Sequence, residues 1–226
     1  YLNIKFSEKK LKNGANQITL KGPCEIKSKD IYVASDPSSA SFFVVAALIL
    51  PGSNITLNNI CLNKTRIAYL DVLKKMGGKI KVTKVKKLSG EQIGSINVKS
   101  SNLKCIKIKK KSSPYLIDEF PILAIAATQA LGTTIMEGLG ELRFKESDRL
   151  NGICVNLKNS GISSKVEKDN LFITGNKKII EGGNKIDSFG DHRIAMAFTV
   201  LGLLSKKKLA INNSKCISIS YPNFHN

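Results

Sequence analysis

The sequence predicts an α/β fold, a closed domain of repeated βαβαββ units related by pseudo-threefold symmetry. Three observations carry this expectation. Asp36, Asp118 and Asp191 each open an apolar stretch of helical length, each stretch leads into a short strand-like run, and the pattern recurs with a period of about 80 residues. That period exceeds those of solenoids and propellers, so the copies are expected to close on one another.

Residues 1–34 hold only strand-like pieces, Gln17 to Leu20 and Asp30 to Val33, around the turn-like Lys21-Gly22-Pro23, and read as the end of a preceding unit. The apolar stretches run Ser38 to Leu50, Phe120 to Leu131 and Ile194 to Leu204. The aspartate heading each is an N-cap candidate, because a carboxylate accepts the free N–H groups of a first helical turn. The strand-like runs are Asn54 to Leu57 after Pro51-Gly52, Thr133 to Met136 after Gly132, and Leu209 to Ile211 after a run of lysines. In the first two copies an amphipathic helix follows, Arg66 to Gly78 and Arg149 to Gly161, with glycine marking its C-terminal end. Strand pairs come next: Lys79 to Thr83 with Ser95 to Val98, and Ser163 to Val166 with Leu171 to Thr174. The third copy breaks off after Phe224, before its second helix.

A chain of 226 residues with 42% hydrophobic content can bury one sizeable core. The longest purely apolar run, Phe42 to Leu50, is far short of the roughly 20 residues needed to cross a bilayer, and no signal peptide is legible. A soluble, cytoplasmic protein with no membrane partner is expected. The five cysteines are scattered and never spaced Cys-x-x-Cys, which argues against a disulfide framework or a metal site and for small buried apolar residues.

The formal charge of +19 suggests nucleic acid as a partner. Its distribution argues otherwise: the lysines are spread through segments such as Lys104 to Lys111 and Lys206 to Lys208, with no interleaved aromatics to stack on bases. Arginine is the informative cation, since only Arg66, Arg143, Arg149 and Arg193 occur. Where lysine is the default, arginine marks a need for a planar fork that matches carboxylate and phosphate.

Three motifs stand at or just before predicted helix starts: Leu116-Ile117-Asp118-Glu119, Lys145-Glu146-Ser147-Asp148-Arg149 and Asp191-His192-Arg193. Backbone N–H groups and the positive end of the helix dipole favour anions there. Each has a plain structural alternative, namely a cap for Asp118, a solvated charged helix start for Lys145 to Arg149, and a hydrogen-bonded structural role for His192. Their recurrence at equivalent ends of the repeat is expected to gather them on one rim, with Asp118 and Arg193 on the same face.

The segments Asp36-Pro-Ser-Ser-Ala-Ser-Phe-Phe, Leu116-Ile-Asp-Glu-Phe-Pro, Gly140-Glu-Leu-Arg-Phe-Lys-Glu-Ser-Asp-Arg149, Asp191-His-Arg-Ile-Ala-Met-Ala and Ser220-Tyr-Pro-Asn-Phe resemble, in order and spacing, signature stretches of the 5-enolpyruvylshikimate-3-phosphate synthases. The resemblance runs from about Gln17 to Phe224. It implies the enolpyruvyl transferase fold, an inside-out α/β barrel-like domain, here incomplete. Residues 1–34 would be the last strands of an N-terminal domain, and residues 35–226 a C-terminal domain truncated in its third repeat. The N-terminal domain's catalytic lysine and phosphate-gripping serines and arginines would precede Tyr1, so the chain alone is expected to be inactive.

By the same resemblance the reaction transfers the enolpyruvyl group of phosphoenolpyruvate to the 5-hydroxyl of shikimate 3-phosphate, releasing phosphate through a tetrahedral intermediate. No cofactor or metal is implied, and the full-length enzyme would be a monomer. Asp118 matches the carboxylate that takes the 5-hydroxyl proton, Glu146 the carboxyl that shuttles the methyl proton, and Lys145 a residue contacting shikimate 3-phosphate and its co-substrate. Arg149 and Arg193 match the pair that clamps phosphoenolpyruvate, with His192 in support. One departure is visible: many members carry a lysine just before the Ser/Thr-Tyr/Phe-Pro motif, where this chain has Ile219.

Three other readings compete. A UDP-N-acetylglucosamine enolpyruvyl transferase shares the architecture, but the Asp-His-Arg and Lys-Glu-Ser-Asp-Arg motifs speak against it. A basic nucleic-acid-binding module on a related repeat fold requires a contiguous lysine stripe that the sequence lacks. A degenerate structural paralogue would not be expected to keep Asp118, Glu146, Arg149 and Arg193 intact.

Overall fold

The computed structural model describes residues 2–225, so the expected outer boundaries at Tyr1 and Asn226 lie outside the described residues. The N-terminal part is an antiparallel hairpin of β1 (Phe6–Lys10) and β2 (Asn16–Leu20), and no residue from 5 to 33 is buried. The expected strand at Asp30 to Val33 does not form. The Tyr32 amide donates to a side chain, the Ser89 hydroxyl at 2.8 Å, rather than into a strand ladder.

The first unit comprises α1 (Pro37–Ile49), β3 (Asn54–Cys61), α2 (Ala68–Lys75), β4 (Lys79–Leu88) and β5 (Glu91–Lys99). A connecting strand, β6 (Lys107–Ile108), leads into the second: α3 (Phe120–Thr128), β7 (Gly132–Met136), α4 (Arg149–Asn159), β8 (Ser164–Glu167) and β9 (Asn170–Gly175). Two short strands, β10 (Ile180–Gly182) and β11 (Lys185–Asp187), precede the third: α5 (His192–Gly202), β12 (Ser205–Lys207), β13 (Ala210–Asn212) and the short α6 (Cys216–Ser220). The second unit is a complete βαβαββ, with strand order β6-β7-β9-β8. The first repeats that order as β3-β5-β4, with Ser35 bridging to Ile60 where β6 would stand. In the third, β10 pairs with β12 and β11 with β13, both in parallel.

Helices α1 and α3 are apolar on all sides, a pattern that only a fully enclosed helix tolerates. They pack with α5 in a central bundle whose buried side chains include Phe42, Val45, Leu48, Leu123, Ile125 and Phe198. Helix α2 is amphipathic, with Tyr69, Leu70, Val72 and Leu73 turned inward and Asp71, Lys74 and Lys75 outward. The reversals after α2 and α4 place Gly77 (φ +96°) and Gly161 (φ +75°) in the left-handed region, where a side chain is strained. Strand β9 passes so close to the end of α3 that a Cβ on Gly175 would come under 3.0 Å from the carbonyl oxygens of Ala127, Thr128 and Ala130.

Two of the three expected caps form. Asp36 accepts from the Ser39 amide at 2.7 Å, and Asp191 accepts from the Arg193 amide at 2.8 Å. Asp118 does not cap α3. The amides of Glu119 and Phe120 turn back onto the Leu116 carbonyl at 2.9 and 3.1 Å, and Pro121 has no N–H to satisfy, which leaves the Asp118 carboxylate available elsewhere. The cysteines are also corrected in part: Cys154 is buried, Cys61, Cys105 and Cys216 are half-buried, and Cys24 is exposed because it lies in the uncovered N-terminal part. No helix among the described residues is long and apolar enough to cross a membrane.

Candidate active site

The N-termini of α1, α3 and α5 open on one rim, and the loop ahead of α4 lies beside them. A 3₁₀ turn, Gly140–Phe144, delivers that loop, and Arg143 braces it. Its guanidinium reaches Asp148 at 3.3 Å, Asp169 at 3.6 Å and the Lys168 carbonyl at 3.0 Å. Asp148 then caps α4 through the Asn151 amide at 2.9 Å.

The motif residues converge on Arg149, whose side chain is only 1% exposed. Its Nε donates to Asp191 Oδ2 at 2.7 Å, its Nη1 to Asp118 Oδ1 at 3.1 Å, and its Nη2 to Glu146 Oε2. Three hydrogen-bonded carboxylates meet this guanidinium, the pairing without which a buried charge is costly. Asp191 is fully buried and also accepts from the Ser147 hydroxyl at 3.3 Å. Asp118 and Glu146 each have one carboxylate oxygen on Arg149 and stay well exposed to the rim, where a substrate proton is reachable. The inward pull of the guanidinium sets the direction of both carboxylates.

Arg193 stands across Asp118 from Arg149. Its Nη1 donates to the Asp118 carbonyl at 3.0 Å, its Nη2 lies 3.6 Å from Asp118 Oδ2, and 16% of its side chain remains exposed. Asp118 and Arg193 therefore share one face, as expected. With His192, Asp36, Ser39, Ser220 and Tyr221, Arg193 lines a rim cavity of about 290 Å³. Burial lowers the His192 pKa, and so does neighbouring Arg193, while Asp191 and Glu146 pull the other way, so the imidazole favours its neutral form. Lys145 is half-buried at the end of the 3₁₀ turn, and Ile219 is exposed one residue before Ser220.

Sequence reasoning missed Glu119. It is buried at the start of α3, accepts a hydrogen bond from the Ser38 hydroxyl at 2.5 Å, and lies 3.9 Å from Arg193 Nη1. Burial raises its pKa, and the Ser38 hydrogen bond and Arg193 oppose that rise. The available signal was an acid directly ahead of an apolar helix, next to a motif aspartate. Among the described residues no three His, Cys, Asp or Glu side chains are grouped so as to hold a metal ion. A larger cavity, about 720 Å³, lies at the opposite end of the bundle, walled by the C-terminal ends of α1, α3 and α5, and contains none of the motif residues.

The sequence matches the family model described as EPSP synthase (3-phosphoshikimate 1-carboxyvinyltransferase) over residues 6–226. A curated 3-phosphoshikimate 1-carboxyvinyltransferase from Pelobacter propionicus is 42% identical over 209 residues, covering 92% of this chain and 48% of the relative. The EPSP synthase structure from Acinetobacter baumannii superposes with a TM-score of 0.91 at 35% identity, over 99% of this chain and 50% of that one. The enolpyruvyl transferase NikO from Streptomyces tendae, at 15% identity and a TM-score of 0.75, shares the fold. The chain spans about half the length of the curated relatives it matches.

Proposed function

The chain belongs to the EPSP synthase family, and on that premise we propose that it forms the C-terminal half of an enzyme joining the enolpyruvyl group of phosphoenolpyruvate to the 5-hydroxyl of shikimate 3-phosphate. Residues 35–226 form the C-terminal domain, and residues 1–34 close the N-terminal domain that carries the rest of the site. The enzyme works in the cytoplasm, as a monomer, on the route to chorismate, and is a target for glyphosate.

Asp118 accepts the 5-hydroxyl proton as that oxygen bonds to C2 of phosphoenolpyruvate, while Glu146 delivers a proton to C3. In the second step the C3 proton returns to Glu146 and phosphate departs with the electrons of its C–O bond. Arg193 presents a fork to the phosphoenolpyruvate anion. Arg149 adds its Nη2 once Glu146 turns from it toward the substrate. Lys145 supplies charge to both anions, and His192 supports them in its neutral form. Ile219 leaves this end of the site one cation poorer than a lysine would. The observation that carries the reading is the convergence of Asp118, Glu146, Arg149 and Arg193, from the starts of three helices and the loops ahead of them, into one connected group at the rim.

The test is reassembly. The chain is co-expressed with the N-terminal half of the Pelobacter propionicus relative, and phosphate release is followed. Release from phosphoenolpyruvate is expected only with shikimate 3-phosphate and only with both halves present. A reassembled complex that uses UDP-N-acetylglucosamine instead overturns the reading. Within the active complex, Arg193→Lys keeps the charge and loses the fork, so it should weaken phosphoenolpyruvate use more than shikimate 3-phosphate use. Equal losses on both would make Arg193 structural.

A further inference from the structure

Glu119 has none of the roles assigned above, yet all three units of the repeat meet at its carboxyl group. It stands at the start of α3, its Oε1 takes the Ser38 hydroxyl from the first turn of α1, and Nη1 of Arg193 approaches the same oxygen from the first turn of α5. The positive ends of three packed helices thus surround one carboxyl group, the polarity that makes a buried acid tolerable in a bundle otherwise lined with apolar side chains. The chain of contacts continues outward. Arg66 Nη2 donates to the Ser38 hydroxyl at 3.3 Å and to Asp36 Oδ1 at 2.9 Å, which accounts for the fourth of the scarce arginines.

Arg193 is held asymmetrically by these contacts. Nη1 faces inward, toward the Asp118 carbonyl and Glu119, whereas among the described residues Nε donates no hydrogen bond and Nη2 has only the 3.6 Å ion pair with Asp118 Oδ2 at the rim. The Nε–Nη2 pair is the side-on edge that matches two oxygens of a carboxylate or phosphate. We propose that Glu119 is a positioning residue for Arg193. Anchored by Ser38, it holds Nη1 inward so that the Nε–Nη2 edge is preset toward the rim cavity for an anionic substrate. The assignment of that substrate as phosphoenolpyruvate rests on the reading under Proposed function.

The experiment uses the chain itself. Its four arginines give four side-chain Nε–Hε signals in a nitrogen-15 spectrum, and Arg193→Lys and Arg143→Lys identify two of them. Glu119→Ala is expected to broaden the Arg193 signal and speed its exchange with water, leaving the Arg143 signal in place as the mark of an intact fold. Glu119→Gln, which keeps an oxygen at that position, should restore the signal toward wild type. Ser38→Ala should loosen it to a smaller extent, and decides the matter if Glu119→Ala does not fold. An Arg193 signal unchanged in Glu119→Ala, or in a Ser38→Ala standing in for it, overturns the proposal.

In the reassembled enzyme, Glu119→Ala should raise KM for phosphoenolpyruvate on the order of tenfold, the scale of one lost polar constraint, with kcat and KM for shikimate 3-phosphate within about twofold. Equal shifts for both substrates would make Glu119 merely structural. The spectrum is read without substrate, so it stands or falls independently of the reaction assigned to the enzyme.

Discussion

Residues 5–33 and the segment that follows them contain comparable apolar side chains and treat them in opposite ways. Val33 is 82% exposed, as are Phe6, Ile18 and Leu20 to lesser degrees, whereas Leu123 is 0% exposed at the centre of the helix bundle. Phe6, Ile18 and Leu20 belong to a regular hydrogen-bonded hairpin as Leu123 belongs to a regular helix, so backbone pairing is not what separates them. Among the described residues the β1–β2 hairpin has no second layer on either face, and a two-stranded ribbon alone is marginal in water. Helices α1, α3 and α5 cover one another. An apolar sequence becomes a core only when an opposing surface exists, and the uncovered row on the hairpin fits its proposed place in another domain.

That contrast can be broken or sharpened by measurement. The largest effect is expected inside the packed part, from Arg149→Met: it strands the buried Asp191 carboxylate and should cost about 3–5 kcal/mol in urea unfolding. A loss under about 1 kcal/mol would mean that water reaches Asp191. Next, Leu123→Ala empties space at the bundle centre and should cost about 2–5 kcal/mol, with the spread set by how far the helices close in.

A third effect depends on pH. Burial holds the Glu119 carboxyl above its ordinary value of 4.5, so on raising the pH the unfolded chain releases this proton first. Its contribution to stability is therefore complete below pH 4.5 and lost as pH rises through the folded value. Unfolding midpoints measured stepwise from pH 4 to 8 should fall more steeply in the wild type than in Glu119→Gln, and parallel curves would refute the assignment. The smallest effect belongs to the hairpin: Phe6→Ala should change stability by no more than about 0.5 kcal/mol. If it matched Leu123→Ala, the two regions would not differ in kind.

The parts legible in the sequence were those written locally. Apolar runs gave α1, α3 and α5, and short polar residues gave the caps at Asp36 and Asp191. Strands β6, β10, β11 and β12 escaped notice because two or three residues are too few to show alternation. β1 was missed for a related reason, since Phe-Ser-Glu-Lys-Lys carries no apolar run. The error at Asp118 shows the limit most clearly. Cap and ion-pair partner require the same residue type, and the choice was made by Arg149, brought to it by the fold from 31 residues away. The Ser38–Glu119 contact spans 81 residues and left no local trace.

Gly175 has a consequence of another kind. Where β9 crosses the end of α3, main chain lies against main chain, with no room for even a methyl group. Most joints between a sheet and a helix are made of side chains, which can be exchanged for others of similar volume. This one is made of the backbone itself, so it admits no substitute. Over evolutionary time the surrounding core is free to trade leucine for isoleucine or methionine, yet the sheet cannot slide along the helix to absorb those trades. The far end of α3 is pinned in this way, and variation accumulating in the bundle is kept from drifting the motif residues at its other end out of alignment.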